Sequence, residues 1–130
     1  MYLLDTCIMI PLFKGKNGIQ ERIVSVGIGR CCISELVLAE LLVGAYKSGR
    51  RNEMECIRFA RETFTVLPLS SDVLDAYARL RARLEAPGLR IDSLDLLLAA
   101  TALENDAVLV THNGQHFSRI PGLRTEDWIQ

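Results

Sequence analysis

Apolar residues in this chain fall into two kinds of run. Short runs bounded by polar residues or proline read as buried strands. These are Tyr2 to Leu4 closed by Asp5, Cys31-Cys32-Ile33, Thr65-Val66-Leu67 before Pro68, and Ala107 to Val110 closed by Thr111. Longer runs with helical spacing lie between them. Ser34 is placed to cap a largely buried helix with Glu35 in its first turn, running through apolar residues to Val43 and ending at Gly44. Ser70 caps another that runs to about Glu85, with Val73, Leu74, Tyr77, Leu80 and Leu84 facing inward and Pro87-Gly88 as its stop. Asn52 to Glu62 is more weakly amphipathic through Met54, Ile57 and Ala60; Ser93 to Glu104 is a strongly apolar helix, and Gln20 to Val26 is a further one. After Pro121-Gly122 the pattern predicts a short edge strand followed by Trp128 as an aromatic anchor.

Strands spaced among helices predict an α/β fold with a mostly parallel sheet, because parallel neighbours need crossover connections. Ligands in such folds gather at the C-terminal ends of the strands. No Pro-, Gly- or Ser-rich stretch divides the 130 residues, so 1–130 reads as a single domain. Apolar residues at 49% and charged ones at 24% exclude a disordered chain. The longest apolar stretches, Leu36 to Val43 and Leu94 to Leu103, each contain a carboxylate and fall short of the roughly 20 residues a membrane span needs. No basic segment precedes the first apolar residues, so no secretory signal is expected and the cytoplasm is the expected compartment. Cys7, Cys31, Cys32 and Cys56 form no Cys-x-x-Cys pair and lie far from His112 and His116, which predicts buried, reduced thiols. A net charge of −1 excludes nucleic-acid binding by bulk positive charge and leaves only local contacts.

The informative residues are acids set in apolar sequence. Asp5 ends a strand, Glu40 interrupts Leu36 to Val43, and Asp95 interrupts Leu94 to Ala100. Removing an ionised carboxylate from water costs several kcal/mol unless a cation or good donors compensate it. A divalent metal would compensate all three, since Mg²⁺ and similar hard ions take carboxylate oxygens and keep places for water and phosphate. Taken singly, each acid could instead cap a helix, face solvent or pair with an arginine. Asp92 precedes Asp95 by three residues and would share its helix face, either as a further ligand or as a helix cap.

With these acids in place the chain resembles the PIN-domain family, and within it the VapC-type toxins of bacterial toxin–antitoxin pairs. The motifs that carry the resemblance are Leu3-Leu4-Asp5-Thr6, Ser34-x5-Glu40-Leu41-x2-Gly44, Asp95-Leu96-Leu97-Leu98-Ala99-Ala100-x-Ala102, and Val110-Thr111-x-Asn113-x2-His116-Phe117, with Pro121-Gly122-Leu123 and Asp127-Trp128 at the end. Their order spans almost the whole chain. The resemblance implies a three-layer α/β/α sandwich with a central, mostly parallel sheet of four to five strands. It implies an endoribonuclease in which Asp5, Glu40 and Asp95 hold Mg²⁺ or Mn²⁺ around an attacking water, with Thr6, Thr111 and Asn113 lining the site. It also implies a homodimer and a cognate antitoxin whose tail enters the groove. The chain departs from the pattern at His116, where many relatives carry an acid before the Phe; an imidazole there would weaken a second metal or contact phosphate.

Local attraction for RNA would come from Arg50-Arg51, Arg79, Arg81, Arg83 and Arg90, unless they form solvated helix surface with Asp75 pairing Arg79. Two other readings compete. A catalytically weak PIN-like module would only bind RNA or protein. A receiver-like phospho-acceptor domain also clusters acids at strand ends, but normally needs a later lysine, and this chain has none after Lys47.

Overall fold

Strand Tyr2–Leu4 (β1) lies at the centre of a five-stranded parallel sheet in a computed structural model that describes residues 1–84 and 90–129. Its neighbours are Cys31–Ser34 (β2) on one side and Val108–Val110 (β4) on the other. Thr65–Leu67 (β3) continues the sheet beyond β2, and the two-residue Thr125–Glu126 (β5) closes the far edge. All five strands run parallel, in the order β3-β2-β1-β4-β5. This order is not the 2-1-3-4-5 of receiver domains, and the receiver-like reading is withdrawn on that ground.

Helices Thr6–Phe13 (α1) and Ile19–Val26 (α2) connect β1 to β2, and Glu35–Ser48 (α3) with Arg51–Thr63 (α4) connects β2 to β3. Ser71–Arg83 (α5) and Ser93–Glu104 (α6) pack on each other and lead back across the sheet to β4. Right-handed crossovers that reverse direction at β1 place the last helix pair on the opposite face from the first four, giving three layers. The core between them is apolar and closed, with Leu3, Leu4, Ile33, Leu96 and Leu109 fully buried. Burial pushes the thiols of Cys31 and Cys32 up to about 11 and about 12; all four cysteines are free, but Cys7 and Cys56 are only half-buried.

Several expected elements change in detail. Helix α1 was not foreseen. Helix α3 does not end at Gly44 but runs to Ser48, with left-handed Gly49 as its cap, and it buries one face only, leaving Val43 and Tyr46 exposed. On α5, Leu74 points to solvent while Val73, Ala76 and Leu80 face the core. The expected stop at Pro87-Gly88 lies outside the described residues. The edge strand and its anchor are present: Trp128 is buried against Tyr2, with ring centroids 5.3 Å apart.

Candidate metal centre at the strand ends

The sheet runs outward from β1 through β2 and β3 on one side and returns to β4 on the other, so the C-terminal ends of β1 and β4 form the topological switch point at which α/β folds bind ligands. Asp5 follows β1 directly and caps α1, its Oδ1 accepting from the Thr6 backbone N–H at 2.7 Å. Its Oδ2 accepts from the Thr111 hydroxyl at 2.9 Å, at the end of β4. Thr111 is itself buried and accepts from the Asn113 backbone N–H at 3.1 Å. A buried carboxylate is thus supported by a helix start on one side and a relayed backbone amide on the other, with no cation paired to it among the described residues.

Glu40 enters from α3. Contrary to the expectation of an embedded acid, its residue is exposed, and its Oε1 accepts from the Thr6 hydroxyl at 3.0 Å. Asp95 enters from the first turn of α6, while Asp92 is that helix's cap and accepts from the Leu94 N–H at 3.1 Å. The carboxyls of Glu40 and Asp95 are pushed above their ordinary values. Loss of water around each is the main cause; the negative charges of Asp5 and Asp92 add to both, and Asp95 adds to Glu40. The acids, 35 and 55 residues apart in the chain, therefore lie within one another's fields. His116, on a 3-10 turn at Gly114–Phe117, stands with Nδ1 3.8 Å from the Asp95 Oδ2 and partly offsets that charge.

A family model described as "PIN domain" matches residues 2–123. The chain belongs to the PIN-domain family. It is 31% identical over 128 residues to a tRNA(fMet)-specific endonuclease VapC of Shigella flexneri, covering 98% of this chain and 97% of that one. Among solved structures, VapBC2 from Rickettsia felis bound to a DNA fragment from its promoter superposes with a TM-score of 0.89 at 32% identity, covering 98% of both chains. A toxin–antitoxin complex from Klebsiella pneumoniae gives 0.74 at 28% identity, covering 95% of both.

The donor set of this PIN domain suits a hard divalent ion: carboxylate oxygens whose mutual repulsion is unrelieved by any lysine or arginine paired to them among the described residues. Among the described residues no group of three or more His, Cys, Asp or Glu is arranged to hold a metal ion.

Of the other expected residues, Thr6 and Thr111 touch the acids directly, while exposed Asn113 contributes its backbone N–H to Thr111. The arginines scatter. Arg79 is taken up by Asp75 at 3.3 Å and Glu104 at 3.8 Å. Arg81 turns inward, donating to the Ile91 carbonyl at 2.8 Å and the Ser93 hydroxyl at 3.3 Å, and so braces the start of α6. Arg83 and Arg90 are exposed, and Arg50 alone of the group lines a cavity shared with Thr6 and Glu40. Sequence reasoning overlooked Cys7, whose thiol lies 3.6 Å from the Asp5 Oδ2 and 3.5 Å from the Thr111 hydroxyl and accepts from the His112 N–H at 3.3 Å. A cysteine in an apolar run gives no sign of this; only its place two residues after Asp5 could have raised the question.

Proposed function

We propose that this PIN domain is a metal-dependent endoribonuclease and the toxin of a toxin–antitoxin pair, cleaving RNA by attack of water on a phosphodiester. The observation that carries the reading is that Asp5, Glu40 and Asp95 lie within one another's fields, in a chain that matches a VapC endonuclease over 98% of its length. Asp5, Asp95 and Glu40 would hold Mg²⁺ or Mn²⁺, with Asp92 within reach. Such an ion lowers the pKa of water and offsets charge on the phosphoryl oxygens.

The protein's own contribution is placement. The Thr6 N–H and the Thr111 hydroxyl fix both oxygens of Asp5 and so hold the carboxylate in one orientation. The Thr6 hydroxyl holds Glu40 from the other side, coupling two acids through one residue. His116 stands where its imidazole can steer Asp95 or meet a phosphate oxygen. In-line attack by water on phosphorus breaks the bond to the 3′ oxygen and leaves a 5′-phosphate and a 3′-hydroxyl; no 2′-hydroxyl need be activated. An antitoxin partner is supported by the structural neighbours, which are VapBC toxin–antitoxin complexes; in the proposal this partner covers the acids, and the chain pairs with a second copy as a homodimer. The cytoplasm is the compartment where such a toxin meets its RNA.

Purified protein incubated with total bacterial RNA should cut it in Mg²⁺ or Mn²⁺, stop on addition of chelator, and lose the activity in Asp5→Asn. Intact RNA under every metal condition would favour the catalytically weak RNA- or protein-binding module instead.

A further inference from the structure

Beside Glu40 a cavity of about 360 Å³ runs between α1, α3 and α4. Thr6 and Glu40 both line it, and Thr6 also donates to Asp5, so the cavity adjoins the acids. Its size falls in the range of small-molecule sites, about 300–1,000 Å³. Apolar side chains, Ile10, Phe13, Leu41 and Ile57, make up part of the lining. Lys14 and Arg50 bring positive charge to it, and neither is held in an ion pair among the described residues. Asn52 and Glu53 supply hydrogen-bonding groups, and Glu53 is fixed by the Ser48 hydroxyl at 2.7 Å.

Gly44 gives this cavity its meaning. It lies in the interior of α3, four residues beyond Glu40 and so near the same helix face. Glycine is the poorest helix former after proline, and a helix interior normally excludes it. No backbone need explains it here: its φ is not left-handed, and a Cβ built on it meets no atom within 4 Å. Gly44 is itself exposed, and what the missing side chain leaves is open space beside Glu40.

We propose that this cavity is a nucleotide subsite, taking the unpaired base next to the bond being cut. The inference rests on the ribonuclease reading above. An apolar wall with an aromatic edge receives the face of a base, Asn52 and Glu53 meet its hydrogen-bonding edge, and Lys14 and Arg50 meet the flanking phosphates. This mixture of apolar lining with one aromatic ring, polar groups and cations outside any ion pair among the described residues matches a nucleotide better than a purely apolar peptide anchor.

The test begins with total RNA cut by the wild-type protein, whose principal cut site is mapped by sequencing fragment 5′ ends. Oligonucleotides spanning that site are then made with each base, or with an abasic residue, at the positions flanking the cut. Wild type should prefer an intact base over the abasic residue at one flanking position by roughly tenfold. Gly44→Leu should lose that discrimination while its melting temperature holds or rises. Asn52→Ala, at an exposed position, should keep the discrimination against the abasic residue but alter which base is favoured. Equal discrimination in wild type and Gly44→Leu overturns the subsite, as does a Gly44→Leu defect confined to antitoxin binding, which would give the cavity to a peptide. Wild-type protein that cuts no RNA at all overturns the ribonuclease reading itself, and the subsite with it.

Discussion

Asp5 shows how a single carboxylate is readied without a counter-charge. Two backbone amides of the loop after β4 are passed to its Oδ2 side, one through the Thr111 hydroxyl and one through the Cys7 thiol. Cys7→Ala should therefore lower kcat of RNA cleavage severalfold with KM little changed, and Cys7→Ser, which restores a donor, should recover much of it; equal effects of both would make Cys7 mere filling. The acids opposite are poised against one another. Glu40 and Asp95 sit above their ordinary values, so the folded chain binds protons more readily than the unfolded one. Without divalent metal, stability should rise as pH falls from neutral through this raised range and level off below the ordinary carboxylate values. Asp95→Asn should raise the melting temperature in chelator by ~1–4 °C and flatten that pH dependence, at the cost of cleavage. Calorimetry of the two proteins across pH checks both. Asp5 and Asp95 were legible because acids interrupt apolar runs. Glu40 was legible for an imperfect reason: the run marks a helix with one buried face, and the acid lies on its open side.

Among the elements, α1 illustrates what hydrophobic pattern cannot convey. Thr6–Phe13 buries Ile8 and Met9, carries nearly continuous apolar residues and holds Pro11, so neither a helical period nor a strand boundary stands out. Its start is decided by the Asp5 cap, a signal that also reads as a strand end. The opposite holds for α3, where Ser34 announces the first turn: its Oγ accepts from the Leu36 N–H at 3.0 Å, with the residue fully buried. Ser34→Ala should cost ~1–2 kcal/mol by chemical denaturation. Gly44 was read as that helix's end because glycine usually terminates a helix; here its vacancy serves the neighbouring cavity instead. Arg81 was read as a surface cation because its contacts come from Ile91 and Ser93, beyond the end of its own helix. Arg81→Ala should loosen the start of α6, raising amide exchange at Ser93 to Asp95 by hydrogen-exchange measurement while the central strands stay protected.

For the whole molecule, the parallel sheet and its layers were legible because short buried strands alternating with helices admit few other topologies. Strand order was not, since nothing local says that β4 returns to the far side of β1. That return sets the end of β4 beside the end of β1, and with it Thr111 beside Asp5. Val43 and Tyr46 on α3 are two of the exposed large hydrophobic residues, and the proposed second copy would cover them. Light scattering should give twice the chain mass, reduced to one chain mass in Val43→Lys combined with Tyr46→Lys; a monomeric wild type would remove the homodimer from the proposal. The final consequence concerns time rather than space. Asp5 is made first, but the hydroxyl that holds it and the acid that faces it arrive about a hundred residues later, from β4 and α6. A chain still on the ribosome therefore holds Asp5 without Thr111, and the arrangement proposed for cleavage can form only after β4 has been added.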